Sequence, residues 1–162
     1  MKIELIKETD NILRQVCEPW HFTINGDPTD LVKEMTHIMF ENNGIGLAAP
    51  QVGILKRLFI MGNPDKLIVC INPEILEGDN KNVISKEGCL SFPDLWLNVK
   101  RHDFIRVKYY DITGQEVVRD FSGLISRVYQ HELDHLDGVC YDTKVAKLSL
   151  EMANNRRKKR KK

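Results

Sequence analysis

His131 and His135 stand four residues apart, with Glu132 beside the first, in the stretch Gln130-His131-Glu132-Leu133-Asp134-His135. On a helix this H-E-x-x-H spacing projects both imidazoles from one face, about one turn apart. Two neutral imidazoles so placed bind one divalent metal, and the carboxylate between them is positioned to handle a proton. Five residues match by chance, so the surroundings decide. Ser122 is a natural helix start and Asp137-Gly138 a stop. Between them Val128, His131, Glu132 and His135 share a face, and Ile125, Tyr129, Leu133 and Leu136 form an apolar stripe beside it. The competing reading is a core helix with two incidentally buried histidines, but an apolar face gains nothing from His-Glu-His.

A catalytic site of this kind has three protein ligands and one position open to water. No histidine follows His135, and two residues could complete the set. Glu151 is the only glutamate downstream. Cys89 lies upstream in Glu87-Gly88-Cys89-Leu90-Ser91-Phe92-Pro93, where a thiolate would close a Cys-His-His site. Cys89 is favoured, although most free cysteines are simply small buried apolar residues.

The elements that must carry these residues read as α+β: mostly antiparallel strands around a central metal-binding helix. Ile3-Glu4-Leu5-Ile6 suggests a short strand and Asn11 to Val16 a helical turn. Asp27 as cap, Pro28 at the first helical position and Asp30 in the first turn open a helix. Its face is Leu31, Met35, Ile38, Met39 and Asn42, and Asn43-Gly44 ends it. Gly44 to Gly53 reads as a loop or irregular strand, with Gln51 its one large polar side chain. Leu58 to Met61 and Leu67 to Ile71 read as buried strands joined at Asn63-Pro64-Asp65. Asn72-Pro73 predicts an edge or bend, and Val83-Ile84 a further strand. Ile105, Val107 and Tyr109 alternate as in a half-exposed strand. Asp111-Ile112-Thr113-Gly114 then turns the chain into a hairpin partner over Glu116 to Phe121.

The chain has 162 residues, 42% hydrophobic and 29% charged. That is enough for one hydrophobic core, so residues 1–162 are expected to form a single catalytic domain with a basic tail over 156–162. No apolar run approaches the roughly 20 residues that span a bilayer, so no membrane is expected. Charged residues follow Met1 closely, and no signal peptide is read. Cys17, Cys70, Cys89 and Cys140 form no C-x-x-C pair. A disulfide framework is not expected, and a reducing cytoplasm is. Residues 156–162 are all Lys or Arg; removing those seven cations from a net charge of +1 leaves a body near −6. Such a run repels itself, and its default state is a solvated tail.

Three stretches together resemble the peptide deformylase family: Gly44-Ile45-Gly46-Leu47-Ala48-Ala49-Pro50-Gln51, Glu87-Gly88-Cys89-Leu90-Ser91, and Gln130 through Gly138. They come in the family's order, within a resemblance that extends over most of residues 1–145. The resemblance implies metal-dependent hydrolysis of the N-formyl group from the initiator methionine of nascent polypeptides, releasing formate. It implies Cys89, His131 and His135 as ligands of one divalent ion, Fe(II) natively, with zinc, nickel or cobalt able to substitute. Glu132 would be the proton carrier, and the Gln51 amide and Leu90 N–H the donors to the developing oxyanion. Substrate binding would fall to Gly44, Ile45, Gly46, Glu87, Gly88, Leu124, Arg127 and Val128. Ile45, Leu124 and Val128 would line the methionine pocket.

Two positions depart from the family pattern. Arg127, expected at the pocket mouth, stands where a hydrophobic residue is common, and Trp96 where arginine or another polar residue is. The expected partners are N-formylmethionyl nascent peptides and the ribosome, through RNA phosphates facing the basic tail. The expected protein is a monomer, in the cytoplasm of a bacterium or of a phage-infected host. The alternatives are a zinc endopeptidase using Glu151, and a metal- or peptide-binding module without turnover.

Overall fold

The structure is a computed structural model, and it describes residues 3–160. After a 3-10 turn at Asn11–Arg14 come the one-turn helix α1 (Phe22–Asn25) and α2 (Thr29–Glu41). β1 (Gly46–Ala48) leads through a second 3-10 turn, Ala49–Val52, to β2 (Leu58–Asn63) and β3 (Lys66–Gly78). β4 (Asn82–Cys89), β5 (Phe92–His102), β6 (Phe104–Tyr110) and β7 (Glu116–Ser122) follow. The chain ends with α3 (Gly123–Leu136), a turn at Tyr141–Lys144, and α4 (Lys147–Arg160).

One sheet has the order β1-β2-β3-β6-β7 and β4-β5 form a separate hairpin, with every pairing antiparallel. The expected α+β architecture is therefore present. Alternation along β2 explains how the sheet is buried. Leu58 and Ile60 pack with Val32, Met35 and Met39 of α2. Phe59 and Met61 face the other way, into a cluster with Tyr129 and Leu136 of α3. Tyr129 is wholly buried, meets Phe59 edge-on at 5.0 Å, and donates its hydroxyl to the Glu74 carbonyl. These contacts fix α3 against the sheet. A third cluster joins Leu95, Leu97 and Val99 of β5 to Leu13, Tyr141 and Ala153 of α4.

Several sequence expectations change. Residues 3–6 are not a strand. Asp27 lies one residue outside the helix: its carboxylate accepts from the Thr29 N–H at 2.9 Å, and Val32 N–H closes the first turn on Pro28. Asn42 is exposed, and Val32 takes a buried place on that face. β3 does not end at Asn72-Pro73. It continues to Gly78 through a register shift between Ile71 and Glu74, with Asn72 at φ 49°. The Asn72 side chain bonds both the N–H and the carbonyl of Trp20, which stabilises the bulge. β5 was not anticipated. Ser122 precedes α3 in extended conformation, but its side chain makes no capping bond. Within α3, Ile125 is about half exposed rather than part of a buried stripe.

Candidate metal centre

α3 is held tightly enough to fix its side chains in direction. His131, Glu132 and His135 are all buried on its inner face. β4 brings Cys89 to the same place as its last residue. The Cys89 Sγ, one nitrogen of His131 and one of His135 all lie within 4.8 Å of one another, and Sγ is 3.4 Å from His135 Nε2. Glu151 lies on the exposed side of α4 and is outside this group.

A buried ion network sets the tautomer of His131. Its Nδ1 donates to Glu87 Oε1 at 2.9 Å, which leaves Nε2 for a ligand. Arg101 grips the same carboxylate through two bonds of 2.9 Å and reaches Asp134 on α3. Burial alone would raise the Glu87 carboxyl, but His131 and Arg101 outweigh it and hold it well below the usual range. Burial pushes His131 down, yet Cys89 and Glu87 outweigh this and raise it to about 10. Burial pushes His135 well below its ordinary value, with the charges of His131 and Arg101 adding to it, so its imidazole stays neutral. The negative groups that favour a proton on His131 would equally favour a cation in its place, and His135 offers a neutral lone pair, as a metal ligand must.

The residues fit a divalent ion on their chemistry. One thiolate and two imidazoles suit a borderline-soft metal, and three protein ligands leave a position open. Beside them, Glu132 Oε2 and His135 Nδ1 are buried with no hydrogen-bond partner among the described residues. Burying a carboxylate oxygen without a partner is costly, so Glu132 is built to meet something that enters the site. Burial raises its carboxyl to about 7, where it can both take and return a proton.

Gln51 is 1% exposed, and its amide is oriented unambiguously. Its Oε1 accepts from the Ala48 N–H at 2.9 Å, and its Nε2 donates to Ser91 Oγ at 3.2 Å and lies 3.4 Å from Cys89 Sγ. The donor end therefore faces the centre. Leu90 occupies the turn between β4 and β5, next to Cys89. A cavity of about 610 Å³ opens from these groups, with Gly44, Ile45 and Gly46 on one wall, Glu87 and Gly88 on the other, and Leu124, Arg127 and Val128 beneath. Both walls are sheet edges, since β1 pairs only with β2 and β4 only with β5. Gly46 is required there: a Cβ would collide with the Glu132 carboxylate and lie 2.9 Å from Val128 Cγ1.

Arg127, read from the sequence as a pocket-mouth residue, lines the cavity with its charge already paired. It is 8% exposed, and its guanidinium is spent on Glu87 at 2.6 Å and on the Val99 and Val83 carbonyls at 2.8 and 2.7 Å. It lines the cavity but offers it no free charge. Sequence reasoning missed Arg101 and Asp134. The signal for Arg101 was present, because Leu95, Leu97 and Val99 alternate inward and Arg101 continues their register.

The model of the family described as Polypeptide deformylase matches residues 2–151. A peptide deformylase of Thermodesulfovibrio yellowstonii is 40% identical, with 98% of each chain covered. Peptide deformylase 1 of Clostridium perfringens is 46% identical over 82% of this chain and 90% of its own. Among solved structures, a peptide deformylase from Synechococcus elongatus in complex with actinonin superposes with a TM-score of 0.89 at 35% identity, covering 96% of this chain and 85% of that one. A Met-Ala-Ser-bound peptide deformylase from Acinetobacter baumannii gives 0.83 at 34% identity, covering 90% and 99%. With its motifs gathered into one buried centre and its length matched by the family model, the chain belongs to the polypeptide deformylase family.

Proposed function

We propose that the chain hydrolyses the N-formyl group of N-formylmethionine at the start of nascent polypeptides, with Cys89, His131 and His135 holding one divalent ion. The observation that carries this reading is the convergence of those three ligand atoms beside the unpartnered carboxylate of Glu132. The ion, when bound, supplies Lewis acidity that lets water ionise near neutral pH. Glu132 takes the proton from the attacking water. As the water oxygen bonds to the formyl carbon, charge grows on the formyl oxygen, where the Gln51 N–H and the Leu90 N–H stabilise it. The C–N bond then breaks, Glu132 returns the proton to the leaving amine, and formate and a free methionine amine result.

The substrate backbone lies between the two edges, as a strand added to β1 at Ile45-Gly46 and passing Glu87-Gly88. Gly44 lets this edge pack against Leu90, since a Cβ there would lie 2.7 Å from Leu90 Cδ1, and the methionine side chain enters between Ile45, Leu124 and Val128. Arg127 supports the pocket by holding Glu87 and does not read charge. The chain acts as one catalytic domain over residues 1–162, as a monomer in the cytoplasm. The native ion is Fe(II), and zinc, nickel or cobalt can replace it, because a thiolate with two imidazoles accepts several divalent ions. No helix among the described residues is long and apolar enough to cross a membrane.

α4 also gives the basic tail a shape, although Lys161 and Lys162 lie outside the described residues. Its outward cations, Lys158 and Lys159, tether the enzyme to ribosomal RNA phosphate without sequence readout. The test of the catalytic reading is formate release from formyl-Met-Ala-Ser by anaerobically prepared, metal-analysed protein. No release from fully loaded protein would defeat it.

A further inference from the structure

A second cavity, also about 610 Å³, lies between α4 and the β4–β5 hairpin. It shares Lys86, Asp94 and Trp96 with the wall of the metal-centre cavity, so the two adjoin. Trp96 and Met152 are about half exposed and give this groove an apolar floor. Its charge is lopsided: Lys86, Arg156, Arg157 and Arg160 stand against Asp94 alone. Arg157 is committed to Glu8 at 2.9 Å and to Asn154, which leaves it little to offer a ligand. Lys86 sits 5.7 Å over the Trp96 ring. Arg156 and Arg160 are exposed and have no ion pair among the described residues. They lie four residues apart, on the face of α4 that Met152 and Ala153 turn to the hairpin. Lys158 and Lys159 do not line the groove.

Gly88 is the hinge of this arrangement. A Cβ there would lie 2.8 Å from the Trp96 ring, so only glycine lets the indole pack down beside the strand that carries Cys89. The ring then lines both cavities.

We propose that this groove binds the downstream part of the formylated nascent chain and selects acidic residues there, with Arg156, Arg160 and Lys86 as the selecting cations. The proposal rests on the deformylase reading above, because it takes the same peptide to occupy both cavities. A groove that adjoins the metal-centre cavity through three shared residues favours peptide over RNA as the occupant. From Met152 to Arg160 the helix face runs about 12 Å, which matches roughly four residues of extended peptide. Exposed ion pairs contribute only a factor of a few each, so the selectivity expected from two or three is about tenfold at low salt.

The experiment compares kcat/KM of the metal-loaded full chain on formyl-Met-Ala-Ser and on octapeptides that extend it with glutamates or with lysines. The acidic octapeptide should exceed the lysine one by about tenfold, and the gap should shrink at high salt as exposed pairs are screened. In Arg156→Glu/Arg160→Glu, and more mildly in Arg156→Gln/Arg160→Gln, the preference should vanish or reverse, with unchanged melting showing that the fold is kept. Lys158→Glu/Lys159→Glu should retain it. Equal rates for the two octapeptides, or a preference that survives the Arg156/Arg160 reversal, overturns the proposal. So does a reversal that costs ribosome co-sedimentation while leaving the preference intact, which would assign the face to RNA. Failure to cleave the tripeptide would instead strike the deformylase reading itself.

Discussion

Glu132 is held in place by burial and by a glycine opposite it, and one of its oxygens has no partner in the protein. A group so placed is not a structural ion-pair member, which separates it from Glu87, whose carboxylate pairs with Arg101, Arg127 and His131. Glu132→Gln should keep the metal and lose turnover by about 10² to 10⁴, measured as formate release against metal content. Loss of the metal in that variant would make Glu132 a ligand and the proton role wrong. Gln51→Ala removes a single donor whose direction is already fixed by Ala48 and Ser91. It should lower kcat by about 10² to 10³ with the metal retained. These residues were legible because each sits in a local pattern: H-E-x-x-H for α3, and a lone glutamine among small residues for Gln51. Cys89 was legible only as one of two choices, since nothing in sequence spacing shows which strand end meets a helix. Arg101 and Asp134 were not legible as a pair at all, because their contact joins residues 33 positions apart.

Among elements, α3 and the β6–β7 hairpin were readable because helix period and turn chemistry are local signals. β5 was not. Pro93-Asp94 looks like a loop, and Asp94 does take a left-handed φ of 61° before the strand resumes. An arginine at the fourth inward position also broke the apolar alternation that would have marked the strand. That same hairpin is where Arg127 acts. Its guanidinium ties the Val83 and Val99 carbonyls, one from each strand, to α3 and to Glu87. Arg127→Met would take this donor from the two carbonyls and leave Glu87 with Arg101 and His131 alone, at a cost of about 2–4 kcal/mol. Melting should fall by about 5–10 °C. Substrates with Glu or Lys at the second residue should show equal kcat/KM in the parent chain, since Arg127 has no free charge to discriminate with. β3 likewise ran on past Asn72-Pro73 because the Asn72 side chain, through its bonds to Trp20, absorbs a bulge that sequence pattern reads as an end.

For the whole molecule, the centre lies where three elements meet: the sheet edge at β1, the β4–β5 hairpin, and α3, which packs on the sheet. A metal held by Cys89 of the hairpin and by His131 and His135 of α3 would bind only the folded chain and so stabilise it by mass action. Chelation should therefore lower the melting temperature of the parent chain and leave that of Cys89→Ala unmoved. Iron-loaded protein should lose activity in air and nickel-loaded protein keep it; an air-stable, fully active zinc form would contradict Fe(II) as the native ion. The basic end illustrates what composition alone conceals. Read as a charge run it predicts a solvated tail, whereas Ala153 is buried and Arg157 pairs with Glu8, so α4 is docked as a helix to Arg160.

The central claim is that Cys89, His131 and His135 together hold the ion on which deformylation depends. The most direct measurement titrates metal-free protein anaerobically with Fe(II) or nickel and follows formate release from formyl-Met-Ala-Ser against bound metal. Activity should rise linearly to one ion per chain, and Cys89→Ala should show neither tight binding nor turnover. Turnover by metal-free protein, or a Cys89→Ala variant that keeps both its ion and its rate, would contradict the account.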